Sequence, residues 1–161
     1  MTRNRLLAAA AALTAAGIGG AIVAATAEAA PAPAPVGATI SFTQHTLSDR
    51  SFNLGSGHGF AVGYVELVAT KLMHGGRQIG HDGASYTVTR LGSGSADEAV
   101  SAVEVLARGQ IDLSGLVTST PSGPGTFQLA VTGGTGSYSG ARGYATVAPG
   151  SAPAVTIHLT P

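Results

Sequence analysis

The segment VTGGTGSYSGARGYATV, Val131–Val147, places a glycine-rich turn between two strand-like stretches. Such a turn is either a phosphate-binding loop or a connection between β-strands. A phosphate-binding loop requires a helix after the glycines, and its nucleotide-binding form ends in Gly-Lys-Ser/Thr. Here Gly140 is followed by Ala141-Arg142-Gly143 and then by Tyr-Ala-Thr-Val, which favours a strand. The segment therefore predicts a connection between β-strands, in which glycine supplies dihedral angles that other residues avoid.

The rest of the chain repeats this pattern. Short stretches rich in Val, Thr, Leu, Ile and Tyr alternate with Gly, Ser and Pro, and no stretch sustains helical periodicity. We predict an all-β fold of eight antiparallel strands closed into a barrel, because closure removes exposed edges; a two-sheet β-sandwich is the alternative. The predicted strands cover approximately residues 38–47, 62–73, 77–91, 99–107, 110–118, 125–132, 142–148 and 154–160.

The N-terminus predicts export. Arg3 and Arg5 precede an apolar, alanine-rich run, and Ala27-Glu28-Ala29 offers the small residues that a signal peptidase recognises. We predict a cleavable signal peptide over 1–29, a Pro/Ala-rich spacer over 30–37, and one β-barrel domain over 38–161. The alternative is an uncleaved membrane anchor, which the glycines of the apolar run disfavour as a helix. The expected location is secreted and extracellular.

Charge and composition exclude several classes of partner. Without Arg3, Arg5 and Glu28 the chain keeps 6 basic and 7 acidic residues, so no basic surface is available for nucleic acid or an anionic membrane. The chain contains no cysteine, and its five histidines do not form the spacing of a metal site. We predict no metal, no cofactor, no nucleic acid and no membrane contact after cleavage.

The glycine-rich segment resembles the late part of the allene oxide cyclase and dirigent families. The similar positions are Gly133–Gly136, Tyr138 and Ala141–Ala145, and the family frame extends over residues 38–160. The resemblance implies a secreted bacterial member with a calycin-like eight-stranded barrel. Such a barrel would bind a small hydrophobic molecule and steer its cyclisation or coupling, as a homodimer or homotrimer. Supporting positions are Gly63, Lys71-Leu72, Gly80, Gly109 and Gly115.

Site residues follow from the resemblance position by position. The cyclases have an inward glutamate on the first strand and an asparagine two residues later; these positions hold Gln44 and Thr46. Because glutamine cannot act as a carboxylate base, the cyclases' own chemistry is not expected. The implied ligand-binding residues are Gln44, Thr46, Thr70, Tyr86, Tyr138 and Arg142.

Two further hypotheses stay open at this stage. In the first, the protein is a true isomerase or cyclase with Glu66 or Arg142 as the catalytic group, since burial would raise the pKa of Glu66 and let it donate a proton. Glu66 would otherwise be a solvated strand residue, and Arg142 would otherwise hydrogen-bond the carbonyls of the glycine loop. In the second, the barrel is filled by side chains and the protein is a structural or surface-binding module.

Overall fold

A computed structural model describes residues 37–55 and 57–160. The predicted signal peptide and all of the predicted spacer except Gly37 lie outside these residues. The elements are β1 Thr39–Asn53, β2 Tyr64–His74, β3 Arg77–Gly92, β4 Ser95–Leu106, β5 Gly109–Thr120, β6 Gly123–Pro124, β7 Phe127–Gly134, a 3-10 turn Gly136–Tyr138, β8 Arg142–Ala148 and β9 Ala154–Thr160.

The strands form one closed antiparallel barrel, which confirms the predicted fold class. Neighbouring strands follow the order β4-β3-β2-β1-β9-β8-β7-β5, and β4 pairs with β5 to close the sheet. The two-residue strand β6 adds to the end of β5 and lies outside the eight-strand closure. Apart from the single 3-10 turn, the described part of the chain is strand and connection. No helix among these residues has the length and apolarity needed to cross a lipid bilayer.

Alternation along each strand builds the core. On β5, Ile111, Leu113 and Val117 point into the barrel and are buried, whereas Leu116 between them points outward and is exposed. A period of two is what a half-buried strand requires. The packed interior contains Phe42, Leu72, Val100, Ala102, Ile111, Leu113, Val117, Leu129, Val131, Tyr138, Ala145, Val147, Val155, Ile157 and Leu159.

The first strand is longer than predicted and carries a bulge. It continues to Asn53, and its register against β2 shifts between Thr46 and Ser48. Before the bulge Thr46 pairs with Thr70, and after it Asp49 pairs with Val68. Because of the extra residue, the odd-numbered residues of β1 after the bulge lie on the face of the sheet that the even-numbered residues occupy before the bulge.

The two ends of the barrel differ. The connections 54–55 with 57–63, 93–94, 121–126 (which contains β6) and 149–153 lie at one end, which we call the mouth. The connections 75–76, 107–108 and 135–141 lie at the opposite end, which we call the closed end. The glycine-rich segment caps this closed end, where Tyr138 and Ser137 are buried.

Close backbone approach explains the glycines of this cap. Gly136 has φ +60°, and a Cβ added there would lie 2.5 Å from the carbonyl oxygen of Arg108. Gly143 has φ +137°, and a Cβ there would collide with the carbonyl oxygen of His158. Both positions favour glycine for its dihedral freedom and for its lack of a side chain. The segment is thus a connection between strands, as predicted.

Candidate functional site

The barrel is packed at its closed end and open at its mouth. A cavity of about 460 Å³ enters from the mouth, a volume within the range of small-molecule pockets. Inward-facing strand residues form its wall and the mouth connections form its rim. The lining consists of Gln44, Thr46, Phe60, Glu66, Val68, Thr70, Tyr86, Glu98, Val117, Ser119, Thr120, Pro121, Gly123, Pro124, Phe127, Val147, Pro149 and Pro153.

Most of this wall is apolar. Rings of Phe60, Tyr86 and Phe127 face the cavity, and four prolines form part of the rim. Proline has a fixed φ and no backbone N–H group, so these rim positions add little polarity. An apolar wall with few polar groups is typical of a site that holds a small organic molecule.

Two glutamates stand in the outer part of the cavity. Glu66 lies on β2, where burial raises the pKa of its carboxyl group, and the Asp49 carboxyl group raises it further through charge and a hydrogen bond. A raised pKa favours the protonated form of Glu66. Glu98 on β4 accepts a hydrogen bond of 2.6 Å from the Ser119 hydroxyl group. Glu66 is thus positioned to exchange a proton with a molecule in the cavity.

The inner part of the cavity is organised by Asp82, which is buried on β3. One oxygen of Asp82 accepts hydrogen bonds from the Thr70 backbone N–H at 2.9 Å and from the Thr70 hydroxyl group at 2.5 Å. Its other oxygen accepts a hydrogen bond of 2.7 Å from the Gln44 side-chain amide. Burial raises the pKa of Asp82, and these three hydrogen bonds oppose that rise. Gln44 and Thr70 are therefore held in place as cavity-lining groups.

A second buried carboxyl group lies beside Asp82. Glu104 on β4 pairs across the sheet with Asp82 and is 1% exposed. Its Oε2 atom has no hydrogen-bond partner among the described residues. Burial, with the negative charge of Asp82 as a second cause, raises the pKa of Glu104 to about 8. Glu104 is therefore neutral at pH 7, although it does not itself line the cavity.

Tyr86 lies on β3 between the outer and the inner carboxyl groups. Burial first, and then the charges of Asp82 and Glu66, raise the pKa of its phenol to about 12. The phenol is consequently protonated across the physiological range and can donate a hydrogen bond into the cavity.

The structure gathers four of the six residues that the resemblance implied as ligand-binding. Gln44, Thr46, Thr70 and Tyr86 line the cavity, as does the catalytic candidate Glu66. Tyr138 lies in the packed core beneath the glycine-rich cap and does not line the cavity. Arg142 is exposed on the outer side of β8, where its guanidinium donates to the carbonyl oxygens of Ala141 at 2.8 Å and Thr132 at 3.3 Å.

Three acidic residues of the barrel interior were absent from the sequence-based site: Asp82, Glu98 and Glu104. The sequence contained a signal for them, because each shares the parity of apolar neighbours on its strand. Asp82 alternates in phase with Tyr86 and Val88, and Glu104 alternates in phase with Val100 and Ala102. A charged residue in the apolar phase of a strand is an unusual core position and marks a candidate site.

Within residues 37–55 and 57–160, no three His, Asp or Glu side chains cluster in a way that would hold a metal ion.

The similarity of this chain to known proteins lies in its structure. No family model matches the chain, and no curated protein sequence matches it. Among solved structures, the chain is similar to a pyocyanin demethylase, with a TM-score of 0.68 and 25% identity over 76% of this chain and 100% of the demethylase. It also shares its fold with a nonspecific heme-binding cyclase that catalyses a (4 + 2) cycloaddition during neoabyssomicin biosynthesis. There the TM-score is 0.60 and the identity 13%, over 77% of this chain and 65% of the cyclase.

Proposed function

We propose that this protein is a dirigent-like or allene oxide cyclase-like barrel that binds a small, largely apolar molecule and steers its cyclisation or coupling. The observation on which the proposal rests is the open cavity of about 460 Å³, with an apolar wall and a few fixed polar groups. A barrel filled throughout by side chains would offer no such space. The glycine-rich motif and the similarity to a demethylase and a cyclase support the proposal.

The polar groups suit the orientation of a ligand. Gln44 and Thr70 are held by Asp82, so they present fixed groups at the inner end of the cavity. Tyr86 offers a hydroxyl donor, and Glu66 and Glu98 stand nearer the mouth. Fixed polar groups in an apolar space select one bound pose, and a single pose is what steering by shape requires.

Proton transfer by Glu66 is the second candidate function. The observation that favours it is the position of Glu66 on the cavity wall, where burial and then the neighbouring Asp49 carboxyl group raise the pKa of Glu66 and favour its protonated form. Arg142 has no place in this candidate, because its guanidinium is engaged outside the barrel.

A substitution that fills the cavity tests the binding function. Val68→Trp places an indole in the cavity, whereas Leu67→Trp places the same group on the outer face of the same strand. Native mass spectrometry of protein purified from its own host should show a small organic molecule retained by the wild type and by Leu67→Trp. We expect Val68→Trp to lose it, with an affinity reduced on the order of a hundredfold.

The recovered molecule separates the two candidates. A ligand that is released unchanged after incubation supports binding and steering, and a ligand that is converted supports catalysis. Retention of the same molecule by Val68→Trp would place the binding site elsewhere and contradict the proposal.

We further propose that the protein is exported and acts outside the cell. The support is the basic, apolar and small-residue sequence of its first 29 residues. The mass of the mature protein from culture medium should correspond to a chain that begins at Ala30. A chain that keeps Met1 and stays with the cells would contradict this.

A further inference from the structure

Two acidic residues, Glu66 and Glu98, line the cavity, and none of the described residues of the lining is lysine or arginine. Asp82 and Glu104, paired across the sheet, are buried behind the wall formed by Gln44 and Thr70 and do not line the cavity. The nearby cation Arg90 is paired with Asp97 at 2.6 Å and is largely exposed.

Aromatic rings stand beside these carboxyl groups. Phe60, Tyr86 and Phe127 contribute to the same lining as Glu66 and Glu98. The face of an aromatic ring attracts a cation, most strongly where water is excluded. Carboxylates and rings around one apolar space form a surface that favours positive charge over negative charge.

We propose that the cavity accepts an amphipathic organic cation, namely a small and largely apolar molecule with an alkylated or delocalised positive charge. This inference rests on the proposed ligand-binding function and names the class of ligand. A compact ammonium ion is strongly hydrated and would lose that hydration against an apolar wall. An anion would face Glu66 and Glu98 and find no positively charged group among the described lining residues.

Proton linkage gives the inference a signature of its own. The titratable groups that face Glu66 are Asp49 from β1, Tyr86 from β3 and Glu98 from β4. A bound cation favours the ionised form of Glu66, so binding should release protons to the solvent. Affinity for a cation should therefore rise as the pH increases through the titration of Glu66, and affinity for a neutral analogue should not follow that rise.

Three acridine derivatives with one ring system test the class of ligand. The probes are 10-methylacridinium, which is a cation, acridine at about pH 8, where it is neutral, and acridine-9-carboxylate, which is an anion. Fluorescence titration of the mature protein should give an affinity for the cation at least about tenfold higher than for acridine. The carboxylate should bind most weakly.

Variants assign the preference to the two glutamates. Glu66→Gln combined with Glu98→Gln should reduce the affinity for 10-methylacridinium by at least about tenfold more than it changes the affinity for acridine. Asp112→Asn removes one acidic group from the outer side of β5 and should leave all three affinities within about twofold. Thermal unfolding checks that each variant is folded. The pH dependence of cation binding is measured on the wild type alone, so it tests the same preference without any variant.

The outcomes distinguish this inference from the function on which it rests. Equal binding of acridine and 10-methylacridinium would overturn the cation preference and leave a ligand-binding barrel. Tighter binding of the carboxylate would also overturn it. Failure of all three to bind, together with no ligand retained after native purification, would overturn the proposed function as well.

Discussion

Replacement of Glu104 by glutamine should stabilise the protein at alkaline pH. In the folded state Glu104 has a pKa of about 8, because it is buried beside Asp82, whereas its ordinary value is 4.5. Between these two values the folded state holds a proton that the unfolded state releases. Stability therefore falls as the pH rises, by about 1.4 kcal/mol per pH unit, and the loss is complete above about pH 8.

Urea unfolding at a series of pH values measures this effect. Below about pH 5 the wild type and Glu104→Gln should have similar free energies of unfolding, and near pH 9 the variant should be more stable by about 4 kcal/mol. Glu104→Met, which removes the carboxyl group without introducing an amide, should flatten the pH dependence equally. Some slope should remain in both variants, because Asp82 and Glu66 also have raised pKa values. An unchanged slope in both variants would show that Glu104 does not titrate as its burial implies.

Replacement of Gly143 by alanine should destabilise the barrel strongly. Gly143 has φ +137°, and a methyl group there would collide with the carbonyl oxygen of His158 on the paired strand β9. Because the obstacle is backbone, relief requires β8 and β9 to separate. We expect a loss in the free energy of unfolding of more than about 3 kcal/mol.

Gly140 provides the matched control within the same segment. It has φ +73°, and no atom lies within 4 Å of an added Cβ. Gly140→Ala should therefore cost only the dihedral penalty, about 1–2 kcal/mol. Chemical denaturation of both variants under one condition measures the difference. Equal losses would show that the dihedral angle, and not close approach, makes glycine necessary at Gly143.

The fold could be predicted from the sequence because the patterns that indicate it lie within short stretches of the chain. Alternating apolar residues marked the strands, and Val131–Val147 was interpreted as a connection because strand chemistry, not a helix, follows its glycines. The length of β1 was underestimated, since its second half is polar and exposed and carries no apolar alternation. The early start of β4 was missed for a similar reason: Asp97 and Glu98 form polar contacts with Arg90 and Ser119 across the sheet.

The site could be predicted less completely from the sequence, because its chemistry depends on pairing between strands. Gln44 was noted as a lost carboxylate position, yet its amide holds Asp82, a carboxyl group contributed by a strand two places away. Sequence spacing within one strand cannot show such a partner. Arg142 and Tyr138 were predicted to bind a ligand because they belong to the glycine-rich segment. That segment lies at the closed end, so both residues lie away from the cavity.

The direction of the strands also determines where a support or a fusion partner can be attached without blocking the cavity. β1 begins at Thr39 and β9 ends at Thr160, and the register of these two strands places both positions at the closed end. A group attached at Thr39 or Thr160 would therefore lie at the end of the barrel opposite the mouth. A barrel immobilised through these two positions would keep its cavity accessible to molecules in solution.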